Sequence, residues 1–219
     1  MVRTLKGCSV FDLLDALYIG AYAPTLADAL KNLKSNTFHQ TAFGTIALDG
    51  VNGPKPDGIS GYTDTGYNPT TSGGQLDALD LTMGAWLLTE GQSAGYDMGC
   101  GSLASLRAQA RSATDTRNAR ACNSTAITAA STTALGEIGV RRTGNVGSFI
   151  RDGSGANTTN LTVPAGEISP NGNLTFHKNS TAFASRAHAI EFFGAYQPSD
   201  MYGVGHRARA RFMVELGLV

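Results

Sequence analysis

"LDALDLTMGAWLLTE", residues 76–90, decides how this chain is read. Leu79, Leu81, Met83, Ala85 and Leu87 alternate as a strand would, while Leu76, Leu79, Met83 and Trp86 equally fit one face of a helix. Thr82 and Gly84 favour the strand, because a β-branched residue suits pleated backbone and a glycine weakens a helix interior. With a strand here, the surrounding chain reads as mainly β (α+β), with an antiparallel, loop-rich body.

Downstream, "EIGVRR", "GSFIRDGSGANTTNLTVPAGEI", "NGNLTFH" and "RAHAIEFFGAYQ" look like strands separated by turns. Asp152-Gly153 and Pro170-Asn171-Gly172 supply strong turn chemistry between them. The final stretch, "GHRARARFMVELGLV" (205–219), alternates at period two. Arg207, Arg209 and Arg211 would then stand on one face of a C-terminal strand, with Ala208, Ala210 and Phe212 on the other. Such a cationic stripe suits contact with carboxylates of a neighbouring subunit.

Upstream, residues 9–34 read as two short helices. Val10, Leu13, Leu14 and Leu17 form one apolar face, and Leu26, Ala29, Leu30 and Leu33 repeat it after a Thr25 cap. Residues 1–36 are therefore expected to be a helical attachment segment, with Leu13, Leu17 and Leu30 as interface candidates, and residues 37–219 a β-rich body. Residues 49–75, dense in Gly, Pro, Asn and Asp, read as a long loop. Residues 102–113 suit a short helix.

Composition narrows the function classes. The formal net charge is zero, which gives little support to a nucleic-acid partner. Residues 1–100 hold ten acidic and five basic residues; the other 119 hold seven acidic and twelve basic. That polarity suits head-to-tail contact between copies of the chain. No apolar run is long enough to span a membrane, and the N-terminus lacks the pattern of a signal peptide. Cys8, Cys100 and Cys122 are too scattered for a disulfide framework or a zinc site and read as free buried thiols. His39, His177, His188 and His206 show no metal-ligand spacing, and no cofactor motif is present.

Two motifs touch on catalysis. "GQSAG" (91–95) matches the G-x-S-x-G elbow of serine hydrolases, which would make Ser93 a nucleophile. The glycines that follow it oppose the helix this elbow requires. "DTG" (64–66) has the outline of an aspartic-protease signature, but its flanks are loop-like and it lacks a convincing second copy. Tyr62, Tyr67, Tyr196 and Tyr202 are candidates for a binding surface on loops, because aromatic faces stack on sugars.

A Gly/Thr/Asn/Ser-rich strand body, a short helical start, turn-rich loops and a last strand running to the final residue together resemble virion proteins of tailed bacteriophages, of the tail, baseplate or fibre type. The resemblance implies a non-enzymatic structural subunit of a virus particle. Its partners would be copies of itself, as in a trimer, and other virion proteins, with a host surface receptor as a further partner. The alternatives are a receptor- or glycan-binding adhesin, a capsid decoration protein, and a serine hydrolase using Ser93.

Overall fold

The chain folds as a mainly β, antiparallel sandwich of two sheets, with a helical layer over part of one of them. The computed structural model describes residues 1–7, 9–100, 106–122, 126–144, 146–152, 157–162, 172–179 and 181–219. In chain order the strands are β1 (Leu14–Ile19), β2 (Thr41–Phe43), β3 (Ile46–Asp49), β4 (Gly53–Pro56), β5 (Tyr62–Asp64), β6 (Asp80–Leu87), β7 (Met98–Cys100), β8 (Leu106–Gln109), β9 (Thr116–Ala121), β10 (Ile127–Ala130), β11 (Gly136–Thr143), β12 (Val146–Asp152), β13 (Asn157–Thr162), β14 (Leu174–Phe176), β15 (Lys178–Asn179), β16 (Ala182–Phe183) and β17 (His188–Gly194). The helices are α1 (Val2–Gly7), α2 (Leu26–Ala29) and α3 (Ser199–Glu215), with a 3-10 turn at Phe11–Leu13.

One sheet has the order β1-β17-β6-β11-β12-β13 and the other β10-β9-β8-β7-β14-β5-β2. Between them lies a core that includes Ala16, Tyr18, Leu81, Met83, Ala85, Leu87, Met98, Leu106, Ala108, Ile138, Val140, Phe176 and Phe193. The opposite face of the six-stranded sheet carries Leu14, Leu17, Trp86, Ile190 and Phe192 and packs under Leu5, Tyr202, Ala208 and Met213 of the helical layer. The strand expected within residues 76–90 is β6, paired to both β11 and β17. Gly84 is required there: a Cβ would lie 2.5 Å from the Phe192 ring and 2.8 Å from the Ile138 carbonyl oxygen.

Four expectations are corrected. The C-terminal stretch is the helix α3, not a strand. Residues two apart lie about 200° apart around a helix, so Arg207 and Arg211 face solvent while Arg209 turns inward with Tyr202, Gly205 and Met213. Arg, Ala, Met, Leu and Glu are all strong helix formers, and the apparent alternation rested on small alanines that suit either state. Second, residues 14–19 are not helical and the N-terminal segment does not stand apart from the body. They form β1, an edge strand of the six-stranded sheet, paired antiparallel to β17. Leu17 is buried beneath the helical layer, Leu13 ends the 3-10 turn, and Leu30 is the buried C-cap of α2. Thr25 does cap α2, accepting from the Asp28 N–H at 3.1 Å. Third, residues 106–109 are β8 rather than part of a helix, and residues 102–105 of that predicted helix lie outside the described residues. The 49–75 stretch is not one loop either, since β4 pairs with β3 in a hairpin and β5 joins the seven-stranded sheet. The Asp152-Gly153 signal falls between β12 and β13, which pair antiparallel, although residues 153–156 themselves lie outside the described residues, as do Pro170 and Asn171.

The helical layer is tied to the sheet by a buried ion pair. Arg209 Nε and Nη2 donate to Glu137 Oε2 and Oε1 at 2.6 and 2.7 Å. The Tyr202 hydroxyl donates to the same carboxylate, and His206 Nδ1 lies 3.3 Å from it. Burial alone would raise the Glu137 carboxyl, but the Arg209 charge and the hydrogen bonds from His206 and Arg209 outweigh it and hold the group down to about 2, from an ordinary 4.5. A depressed carboxyl contributes stability above its unfolded value, and that contribution is lost as pH falls from 4.5 toward 2. It amounts to about 3 kcal/mol at neutral pH. Urea midpoints at neutral pH and near pH 3 should therefore fall more steeply for the wild type than for an E137Q/R209M double variant. Arg209→Ala alone, which strands a buried carboxylate, should cost roughly 3–5 kcal/mol at neutral pH.

Candidate functional site

The seven-stranded sheet turns alternate residues away from the core, and their register builds one continuous row. Thr41 stands opposite Asp64, Asp64 opposite Thr175, Thr175 opposite Gly99, Gly99 opposite Arg107 and Arg107 opposite Arg120. Their strand neighbours Thr63, Leu174, Phe176, Met98, Cys100, Leu106, Ala108, Ala119 and Ala121 are buried. The row therefore lies on the outer face.

Beside its Asp64 end is an aromatic platform. Phe43 and Tyr62, cross-strand partners, stack with centroids 5.0 Å apart and planes 11° from parallel. The Phe183 ring lies 6.1 Å from Tyr62, and Lys178 Nζ sits 3.8 Å from the Tyr62 centroid and 5.4 Å from that of Phe183. Phe43 is 42% exposed, which is high for so large an apolar group. Next to the platform, Asn173 Nδ2 donates to Asp64 Oδ1 at 3.0 Å and Oδ2 at 3.2 Å. Thr175 Oγ1 donates to the Lys178 carbonyl at 2.9 Å. At the other end the Arg107 guanidinium packs 4.4 Å over the Tyr96 ring. Burial lowers the Arg107 pKa and the Arg120 charge adds to that, while Tyr96 opposes it. Stacked rings beside an amide–carboxylate pair can hold the apolar face of a sugar while bonding its hydroxyls.

Behind the platform, polar groups are packed without solvent. Arg186 Nε and Nη2 donate to Asp97 Oδ1 and Oδ2, both at 2.7 Å, and Arg186 Nη1 donates to the carbonyls of Gly91 and Arg111. Burial would raise the Asp97 carboxyl, but Arg186 and His188 hold it well below the usual carboxylate range. Gln109 Nε2 donates to the carbonyls of Ser93 and Gly95, holding the 91–97 loop over the sheet. Gly95 passes so close to β16 that a Cβ would lie 1.8 Å from the Phe183 carbonyl oxygen.

Of the residues singled out from sequence, Tyr62 and the Asp64 of "DTG" belong to this surface. Tyr67 is fully buried in the intersheet core, and Tyr202 is buried under α3 against Glu137, so neither can serve a loop surface. Tyr196 is half-buried, 5.5 Å from the Arg141 guanidinium on the far face of the molecule's six-stranded sheet. Arg209 meets a carboxylate of its own chain rather than a neighbour's, and Arg211 pairs with Glu215 one turn along α3 at 2.9 Å. Arg207 is exposed. Ser93 is buried, its hydroxyl accepts from the Gly95 N–H at 3.0 Å, and among the described residues no histidine bonds to it. The Asp64 of "DTG" accepts from the Gly66 N–H in a turn. Cys100 and Cys122 are free and buried, as read from sequence, and burial pushes the Cys100 thiol up to about 12; Cys8 lies outside the described residues. Phe43, Phe183, Lys178 and Asn173 were missed; the alternating "TAF" and "YTD" segments are the signal that could have found the first platform pair.

Solved structures share this fold. A Trypanosoma rangeli sialidase superposes with a TM-score of 0.66 at 12% identity, over 95% of this chain and 38% of that one. The receptor binding domain of botulinum neurotoxin C/D mosaic serotype gives a TM-score of 0.62 at 7% identity, over 90% of this chain and 52% of that one. Domain 4 of AbnA, an extracellular arabinanase from Geobacillus stearothermophilus solved with arabinotriose, gives 0.55 at 12% identity, over 87% of this chain and 97% of that domain. The chain thus spans well under half of the sialidase and about half of the toxin chain. The likeness establishes an antiparallel β-sandwich and no more than the fold. No family model and no curated protein matches the sequence.

The Asp97–Arg186 pair fixes the 182–187 segment that carries Phe183 to the platform. Arg186→Met should leave a buried carboxylate unpaired and lower the unfolding free energy by roughly 3–5 kcal/mol, read by urea denaturation. An R186M/D97L double variant should recover most of that loss. Failure of the double variant to recover would mean the pair's hydrogen bonds to the 91 and 111 carbonyls matter more than its charge balance.

Proposed function

We propose that this chain is a carbohydrate-binding β-sandwich module, an adhesin that recognises glycans on a surface receptor through the outer face of its seven-stranded sheet. The observation that carries this reading is the platform of Phe43, Tyr62 and Phe183 with Lys178 above it and the Asp64–Asn173 pair beside it. Phe43, exposed and backed by Tyr62 with Lys178 over it, offers an apolar face for a sugar ring to lie on, and the amide and carboxylate beside the stack offer polar groups to its hydroxyls. The likeness to an arabinanase domain solved with arabinotriose and to a toxin receptor binding domain supports it at the level of fold.

The compositional resemblance to phage virion proteins supplies a setting, a receptor-binding part of a virus particle assembled from copies of the chain. A purely structural subunit ranks second, because the arginines that would have joined it to neighbours are largely engaged within the chain, Arg209 by Glu137 and Arg211 by Glu215. In solution, light scattering at low and high salt should give a discrete oligomer if the particle setting is right, and a monomer at every salt would remove it.

The binding reading is tested on a glycan array followed by titration of the best hit. Tyr62→Ala should weaken that hit at least about tenfold, equivalent to about 1.4 kcal/mol, while Tyr196→Ala leaves it unchanged. An array without hits, or a hit indifferent to Tyr62, Lys178 and Asn173, would overturn the assignment of this face.

A further inference from the structure

The interior end of the sandwich holds a second cluster that the glycan reading does not use. His177 follows β14, and His188 and Glu191 lie on β17; one donor atom from each falls within 4.8 Å of the others, and all three residues are buried. Glu191 Oε1 is the point of convergence, 2.8 Å from His188 Nδ1 and 3.9 Å from His177 Nε2. Its other oxygen, Oε2, accepts from Gln40 Nε2. His177 is fully buried, yet neither of its ring nitrogens has a hydrogen-bond partner. Gln40 Oε1 and His188 Nε2 are also without one. A polar group left unsatisfied away from water destabilises the fold.

His177 is held in place by its backbone rather than its ring. Its N–H donates to the Asp97 carbonyl at 2.6 Å and its carbonyl accepts from the Ala184 N–H at 2.8 Å. Its φ is +67°, a left-handed conformation that costs a non-glycine residue energy and that here aims the imidazole inward.

We infer that His177, His188 and Glu191 form a buried site for a divalent transition-metal ion such as zinc. Ligands about 2.0–2.1 Å from a tetrahedral zinc lie about 3.3 Å apart, and the observed separations of 2.8 and 3.9 Å straddle that edge. The two imidazoles stack at 3.9 Å with planes 27° apart, so an ion drawing both lone pairs to one point tilts His177 off the stack. Outer groups are in place. Gln40 orients the carboxylate, and Asp97, held by Arg186, stands 3.7 Å from His188 Nε2. Asp97 and Arg186 cancel in charge, which leaves Glu191 and two imidazoles as a nitrogen and oxygen donor set suited to zinc, cobalt or nickel. Without an ion, His188 lies between the Asp97 and Glu191 carboxylates and the stack is the resting arrangement. That is the competing state the test must separate.

The full chain, unfolded in chelator and refolded with and without cobalt(II), is the sample. Binding of one equivalent with the intense visible absorption of a tetrahedral cobalt centre, and a raised thermal midpoint, is the expected result. Gln40→Leu should weaken cobalt about 10–100-fold, and His177→Asn, which tolerates the left-handed backbone, should abolish the spectrum. Refolded wild type that binds no cobalt and melts at the same temperature with or without it overturns the proposal, whatever the variants do. A spectrum that survives in a folded H177N variant overturns the ligand set. Neither result bears on the Tyr62 platform, so the glycan reading stands or falls separately.

Discussion

The central strands of the six-stranded sheet, β17 and β6, have no solvent face, and that constraint shapes the rest of the molecule. One side packs on the seven-stranded sheet and the other beneath α1, the 3-10 turn and α3. Every residue of β17 and seven of the eight in β6 are buried. Any charge on these strands must then find its partner within the chain, since water cannot reach it. Glu137 on β11 meets Arg209 of α3, and Glu191 on β17 meets His188 and Gln40. The polar side chains of the central sheet thus decide which outer elements dock on it, and in what register.

The same constraint explains what could be read from sequence. β6 was legible because Thr82 and Gly84 broke a tie that apolar spacing alone left open, and the 137–162 strands were legible from turn chemistry. β1 was not. Ala16 and Tyr18 face one layer and Leu14 and Leu17 the other, so its apolar residues show no polar side, and a strand covered on both faces has the same apolar spacing as a buried helix. In α3 the alternation of Arg with Ala was real but ambiguous. Alanine is small enough for either state, and the deciding contact, Arg209 with Glu137, joins residues 72 apart in sequence. No local pattern carries that information.

The aromatic platform was half legible for a related reason. Tyr62 was legible as an aromatic side chain in what read as a loop, although it lies on the short strand β5. Phe183 reaches the platform only through β16 and the loop fixed by Arg186, and Lys178 only through the left-handed turn at His177. Surface residues gathered from four separated segments leave no spacing to recognise. By contrast the candidate nucleophile Ser93 had a strong local motif, and its surroundings show why a motif needs context. The hydroxyl accepts from the Gly95 N–H, and Gly95 serves a close crossing against β16.

The platform and the buried cluster are mechanically joined. His177 sits between Phe176, whose ring packs in the core, and Lys178, whose ammonium lies over Tyr62. The left-handed turn at His177 takes the chain from the β14 ladder into β15, and β15 pairs with β16 to bring Phe183 alongside. On the other side, Asp97 receives Arg186 from the same 182–187 segment and lends its carbonyl to the His177 N–H. The His177 backbone is thus bonded to both segments that flank the aromatic stack, while its ring turns into the cluster. Strain at one non-glycine residue, tolerated because the surrounding strands over-determine it, is the physical link between them.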